Sequence, residues 1–120
     1  MLIRKAEARW KGNLLDGSGK LTVGSGAVDV PYSLKSRLED GQSATNPEEL
    51  LGAAHAGCFT MALAFGLQAG GHMPTELINE AAVTLEPEGQ GFRISRSALT
   101  LRAKVPNLDA DAFARNGQQC

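Results

Sequence analysis

Apolar and polar positions alternate through the first third of the chain and again through the last, and the stretch between them does not alternate at all. Lys5 to Trp10 alternates loosely, the two-residue period of a strand with one face covered. Gly17-Ser18-Gly19 then turns the chain into Lys20 to Val23, and Gly24-Ser25-Gly26 turns it back into Ala27 to Val30. Short β-prone runs between two Gly-x-Gly turns predict an antiparallel meander. Neither turn is a phosphate loop, because no Lys-Ser/Thr follows and no long βαβ unit surrounds it. Pro31 to Asp40 is mixed, with Tyr32 and Leu34 alternating around Arg37, and Gly41 to Ala44 reads as loop.

Thr45-Asn46-Pro47-Glu48-Glu49 is the clearest start signal in the chain. Asn46 suits the cap, Pro47 the first helical position, and two acids fall in the first turn, where the helix dipole is positive. Thr45 and Glu48 also have capping-box spacing, which would move the cap one residue earlier. The helix is predicted from Pro47 to about Gln68 and ends at Gly70-Gly71. After Glu49 it is apolar on every side, so it is expected to be a buried core helix, enclosed by a sheet and by something else, for which a second subunit is the candidate. Ala81 to Leu85 is a strand, Pro87 to Gly91 a turn, and Phe92 to Val105 a long strand. The apolar phase of that last strand slips between Ile94 and Leu99, which signals a bulge or cover on both faces. A short helix is expected from Ala110 to about Arg115.

At 120 residues the chain is expected to be one domain, 1–120, with 42% apolar residues to build a core and only 5% aromatics. The net charge of -1 is spread as mixed signs, so neither nucleic acid nor a membrane surface is indicated as a partner. Leu50 to Gly71 is long enough to span a bilayer at about 20 residues. Its glycines, alanines and acidic entrance argue for a core helix instead. The N-terminus lacks the apolar run of a signal peptide, which points to the cytoplasm.

Two cysteines, Cys58 and Cys120, are too few for a disulfide scaffold or a thiolate metal site, and two histidines at scattered spacing add no ligand set. Neither metal nor cofactor is expected. A lone helical cysteine is most often a small buried hydrophobe. Here His55 lies three residues earlier on the same face, and Gly57 leaves room beside the sulfur. A mid-helix thiol gains nothing from the N-terminal dipole, so a nucleophilic Cys58 needs a cation to hold its thiolate. Arg37 is the candidate, because guanidinium stays charged and donates in a fork, with Glu48 to orient it. Glu48 and Cys58 are ten residues apart in one helix, about 15 Å, so a site shared across a two-fold interface would bring the parts together. His55 reads as a base or, preferably, as a structural residue; His72 reads as surface loop.

The run from Thr45 through Ala53-Ala54-His55-Ala56-Gly57-Cys58-Phe59 to Leu63 resembles the signature helix of the OsmC/Ohr family, the osmotically inducible protein C and organic hydroperoxide resistance proteins, and is nearer the OsmC branch. Arg9-Trp10-Lys11-Gly12, Pro31-Tyr32, Ser36-Arg37-Leu38-Glu39 and Val105-Pro106-Asn107-Leu108-Asp109 agree with it, so the similarity covers nearly the whole chain. The resemblance implies an α+β fold, with antiparallel sheets wrapping a long central helix in an intertwined homodimer. It implies reduction of organic hydroperoxides, and less well of hydrogen peroxide, with a lipoyl-type dithiol as reductant. Cys58 matches the peroxidatic cysteine, Arg37 the arginine that stabilises its thiolate, and Glu48 the glutamate that pairs with that arginine.

The C-terminus departs from the family. Relatives carry the resolving cysteine in a Cys-Pro-x-Ser motif followed by a further strand, whereas here Cys120 is the last residue. Cys120 as resolving thiol therefore stays open. The alternative to a peroxidase is an impaired or non-enzymatic dimer of the same fold that binds a small apolar ligand.

Overall fold

The computed structural model describes residues 1–41 and 43–106. The chain divides into two units, Met1–Leu50 and Leu51–Cys120. In the first, β1 (Ala6–Lys11), β2 (Ser18–Val23) and β3 (Asp29–Tyr32) form an antiparallel sheet in the order β1-β2-β3. This is the expected meander, with the third strand two residues later than predicted because Pro31 is accepted in an edge strand. Gly19 lies opposite both Trp10 and Tyr32 in the register. Their rings meet edge-on across it, with centroids 5.5 Å apart. A Cβ at position 19 would come within 2.6 Å of Trp10 Cε3 and would also strike the Tyr32 ring, so only glycine leaves room for this aromatic contact.

The mixed segment after β3 contains α1 (Leu34–Leu38), an element the apolar pattern did not predict. Its signal is a cap rather than a period: Ser33 Oγ accepts from the Ser36 N–H at 3.0 Å, and Ser36 Oγ accepts from the Ser33 N–H at 2.9 Å. That reciprocal box satisfies donors that would otherwise be orphaned at a helix start.

Helix α2 (Pro47–Ala69) begins where predicted. Asn46 is the cap: its Oδ1 accepts from the Glu49 N–H at 2.8 Å, and its Nδ2 donates to Glu49 Oε1 at 3.0 Å. With Glu49 engaged in capping, Glu48 is left to face elsewhere. At the other end the His72 N–H donates to Leu67 O at 2.8 Å and the Gly71 N–H to Gln68 O at 3.0 Å, with Gly71 at φ +85°. This 6→1 and 5→2 pair is a Schellman stop, which needs a residue in the left-handed region.

In the second unit β4 (Glu76–Glu88) and β5 (Gly91–Lys104) form a long antiparallel hairpin. β4 starts earlier than Ala81 because Glu76, Ile78 and Glu80 point outward while Leu77 and Asn79 keep the inward phase. Thr84 pairs with Arg96 but Leu85 with Ile94, so Ser95 is the extra residue of a bulge. The predicted slip in apolar phase is this bulge. The helix approaches the inward face of β4 most closely at Gly52, where an added Cβ would lie 3.1 Å from Val83 Cγ2 and 3.4 Å from Ala81 Cβ. Leu63 and Leu67 are fully buried on the same side of the helix.

The opposite side of α2 is not covered by the described residues. Leu51, Ala54, Cys58, Met61 and Phe65 recur at alternating three- and four-residue steps and are all exposed, Met61 at 78% and Phe65 at 77%. Within the single chain the Cys58 thiol is exposed. A helix apolar all round calls for cover on every side, and the hairpin supplies it on one.

Candidate active site

Arg37 and Glu48 form an ion pair in the first unit. α1 projects Arg37 from its last turn, and Glu48 occupies the second helical position of α2. Arg37 Nε and Nη2 each donate to Glu48 Oε1 at 2.8 Å. The pair is asymmetric: the Glu48 side chain is 9% exposed and that of Arg37 is 32% exposed. Glu48 Oε2 is buried without a hydrogen-bond partner among the described residues. A guanidinium has five N–H donors in a fixed plane, so a buried carboxylate that engages Nε and Nη2 fixes the plane and leaves the other donors for a second anion. That anion can be a thiolate or a developing oxyanion.

Ser36 holds this arrangement from below. It is buried, and its hydroxyl donates within 2.7 Å of Thr45 O. Asn46 Nδ2 donates in turn to Ser36 O at 3.2 Å. α1 is thus tied to the start of α2 by side chains adjacent to both members of the ion pair. Neither Ser36 nor Asn46 was singled out as part of the site in the sequence, although the Ser-x-x-Ser spacing was there to be read.

Cys58 and His55 lie one turn apart in the second unit. His55 is exposed, and its Nδ1 is hydrogen-bonded to Ser97 Oγ of β5 at 2.7 Å. The ring is therefore exposed rather than enclosed, and it is anchored to the strand through one nitrogen. Ser97 has no sequence signal, because its proximity to His55 depends on the register of the hairpin. Asn79, half-buried on the inward face of β4, has neither amide atom hydrogen-bonded among the described residues. Cys120 and the short helix expected after Pro106 lie outside the described residues. Among those residues, His, Cys, Asp and Glu form no group of three able to hold a metal ion.

Antiparallel sheets, one long helix with a cysteine at its middle, and an arginine–glutamate pair at its start define a thiol-bearing α+β protein of the OsmC type. The family model for OsmC-like protein matches residues 39–117. Peroxiredoxin OsmC of Escherichia coli strain K12 is 41% identical over 111 residues, covering 92% of this chain and 77% of that protein. Organic hydroperoxide resistance protein OhrB of Bacillus subtilis strain 168 is 26% identical over 95 residues, covering 78% and 68%. Among solved structures, an organic hydroperoxide resistance protein OsmC from Legionella pneumophila superposes with a TM-score of 0.70 at 19% identity, over 99% of this chain and 83% of that one. The chain belongs to the OsmC/Ohr family. By length and composition alone α2 could also cross a membrane; family membership makes it the long helix of the OsmC fold instead.

Proposed function

We propose that this chain is a cytoplasmic thiol peroxidase, a single OsmC-like domain over 1–120 that reduces organic hydroperoxides to alcohols through a sulfenic acid on Cys58. The observation that carries the reading is the Arg37–Glu48 pair, a guanidinium held in one orientation by a buried carboxylate with donors to spare. The Cys58 thiolate attacks the O–O bond, the alcohol leaves, and Cys58 is left as the sulfenic acid. A second thiol, Cys120 or an external one, condenses with it, and a lipoyl-type dithiol reopens the disulfide by exchange. The names of the E. coli and B. subtilis relatives support peroxide as the oxidant.

A homodimer completes this reading. Leu51, Met61 and Phe65 flank Cys58 on an apolar helix face left bare by the described residues, and bare faces of this kind mark protein interfaces. A second copy covering it would desolvate the sulfur and supply a cation that ten residues of straight helix keep from the same chain. The same stripe is what favours the second reading, a non-catalytic dimer that takes a small apolar ligand beside Cys58. Stopped-flow oxidation of the protein by an alkyl hydroperoxide, against Cys58→Ser, separates them. A peroxidase reacts orders of magnitude faster than free cysteine at the same pH; a rate equal to free cysteine ends the enzymatic reading. Mass spectrometry after one equivalent of peroxide then distinguishes a Cys58–Cys120 bridge from a persistent Cys58 sulfenic acid.

A further inference from the structure

Beyond its first turn α2 carries two titratable side chains, His55 and Cys58. At this spacing their Cβ atoms are about 5–6 Å apart. The Cα–Cβ bonds of a helix tilt toward its N-terminus, so the Cys58 side chain leans over the turn that bears His55. His55 is held on one nitrogen only: Nδ1 is bonded to Ser97 Oγ at 2.7 Å, and Nε2 has no partner among the described residues. Ser97 is half-buried and stands two residues past the bulge at Ser95, opposite Val83, the residue that meets the helix at Gly52. The bulge sets the register that brings the hydroxyl to the ring. A hydroxyl is an unusual anchor for an imidazole because it both donates and accepts. It can accept from Nδ1–H, leaving a free lone pair on Nε2, and it keeps the same bond when Nε2 is protonated. Both charge states of the ring are therefore held in one orientation.

We propose that His55 carries the proton of the peroxidase step, with Ser97 as its positioning residue; the proposal rests on the peroxidase reading above. Neutral His55 takes the proton of the Cys58 thiol on Nε2. The thiolate attacks the terminal oxygen of the hydroperoxide, the S–O bond forms and the O–O bond breaks. Sulfur is oxidised by two electrons and the peroxide is reduced by the same two. The leaving alkoxide takes the proton from Nε2, which returns His55 to its neutral form and leaves an alcohol and the Cys58 sulfenic acid. Arg37 stabilises charge in this scheme and carries no proton.

The test is single-turnover oxidation of the reduced full-length protein by tert-butyl hydroperoxide, for wild type, His55→Gln, Ser97→Ala and His55→Ala with and without added imidazole. Glutamine preserves a hydrogen bond to Ser97 and the helix, but carries no proton. His55→Gln is expected to slow oxidation about a hundredfold, within the usual range for one acid–base residue, and Ser97→Ala about tenfold. Added imidazole is expected to accelerate His55→Ala several-fold, a response that a merely structural role would not give and that compares one protein with itself. If wild type reacts rapidly while His55→Gln stays within twofold of it, or imidazole leaves His55→Ala unchanged, His55 carries no proton and the peroxidase reading stands. If wild type is no faster than free cysteine, both fall together.

Discussion

Breaking the Arg37–Glu48 pair from its two ends should have unequal effects, and the inequality follows from exposure. Both contacts are 2.8 Å and both fall on Oε1. Arg37→Met leaves a carboxylate that is 9% exposed with no cation beside it. Removing one partner of a buried pair costs about 3 kcal/mol or more. Glu48→Gln leaves a guanidinium that is 32% exposed and can hydrate in place, and the amide oxygen can still accept one bond. Its cost is that of a charge-assisted hydrogen bond screened by solvent, about 1 to 1.5 kcal/mol. Adding Glu48→Gln to Arg37→Met removes the stranded charge and should restore about 1 kcal/mol. The double variant is then more stable than one of its parents. For a chain of this size, each kcal/mol shifts the melting midpoint by roughly 4 °C, so urea or thermal unfolding resolves the order. The same cycle measured on peroxide oxidation should be non-additive, since Arg37→Met removes the guanidinium and leaves Glu48→Gln no plane to release. Stabilities that add to within about 0.5 kcal/mol, with the double variant the worst of the three, would show that the two side chains do not interact in solution.

Gly57→Ala should stabilise the protein by about 1 kcal/mol, because the site is exposed and an added Cβ meets nothing within 4 Å. At Gly52 the same change should lose most of that gain against Val83 Cγ2, 3.1 Å away; equal gains by denaturant unfolding would mean that the helix does not pack on β4 there. Gly71→Ala should cost about 1 to 2 kcal/mol, since φ is +85° in the Schellman stop, and a neutral result would argue against that stop. Ser33→Ala should cost about 1 kcal/mol by opening the capping box of α1. It should also slow oxidation of Cys58, because α1 aims Arg37; unchanged kinetics would separate the helix from the site.

How much of this was legible in the sequence depends on whether the cause is local. The start of α2 is local: Asn46, Pro47 and Glu49 lie within one turn, so cap, first position and dipole partner are read from four letters. The Gly70-Gly71 stop and the bulge at Ser95 are local in the same sense. α1 is also local, but its evidence is two serines rather than an apolar period, and a five-residue helix is too short to show a period. The early start of β4 is masked by outward-facing Glu76 and Glu80, whose charge reads as loop until their strand partners are known.

What is not legible is whatever depends on two segments meeting. Ser97 has no motif of its own, and its bond to His55 exists only because a fourteen-residue strand pairs in one register around one bulge. What covers Cys58 is not legible for a related reason. Apolar residues on every side of a helix state that each side calls for cover, and they say nothing about which chain supplies it. Leu63 and Leu67 are buried within the single chain, whereas Met61 and Phe65, equally apolar and one turn from the sulfur, are not. A helix whose two faces are alike in composition but unlike in cover calls for a second partner, and the proposed homodimer would supply it. Cys58 lies on that second face. On the proposed peroxidase reading, its chemistry belongs to that homodimer rather than to one copy of the chain.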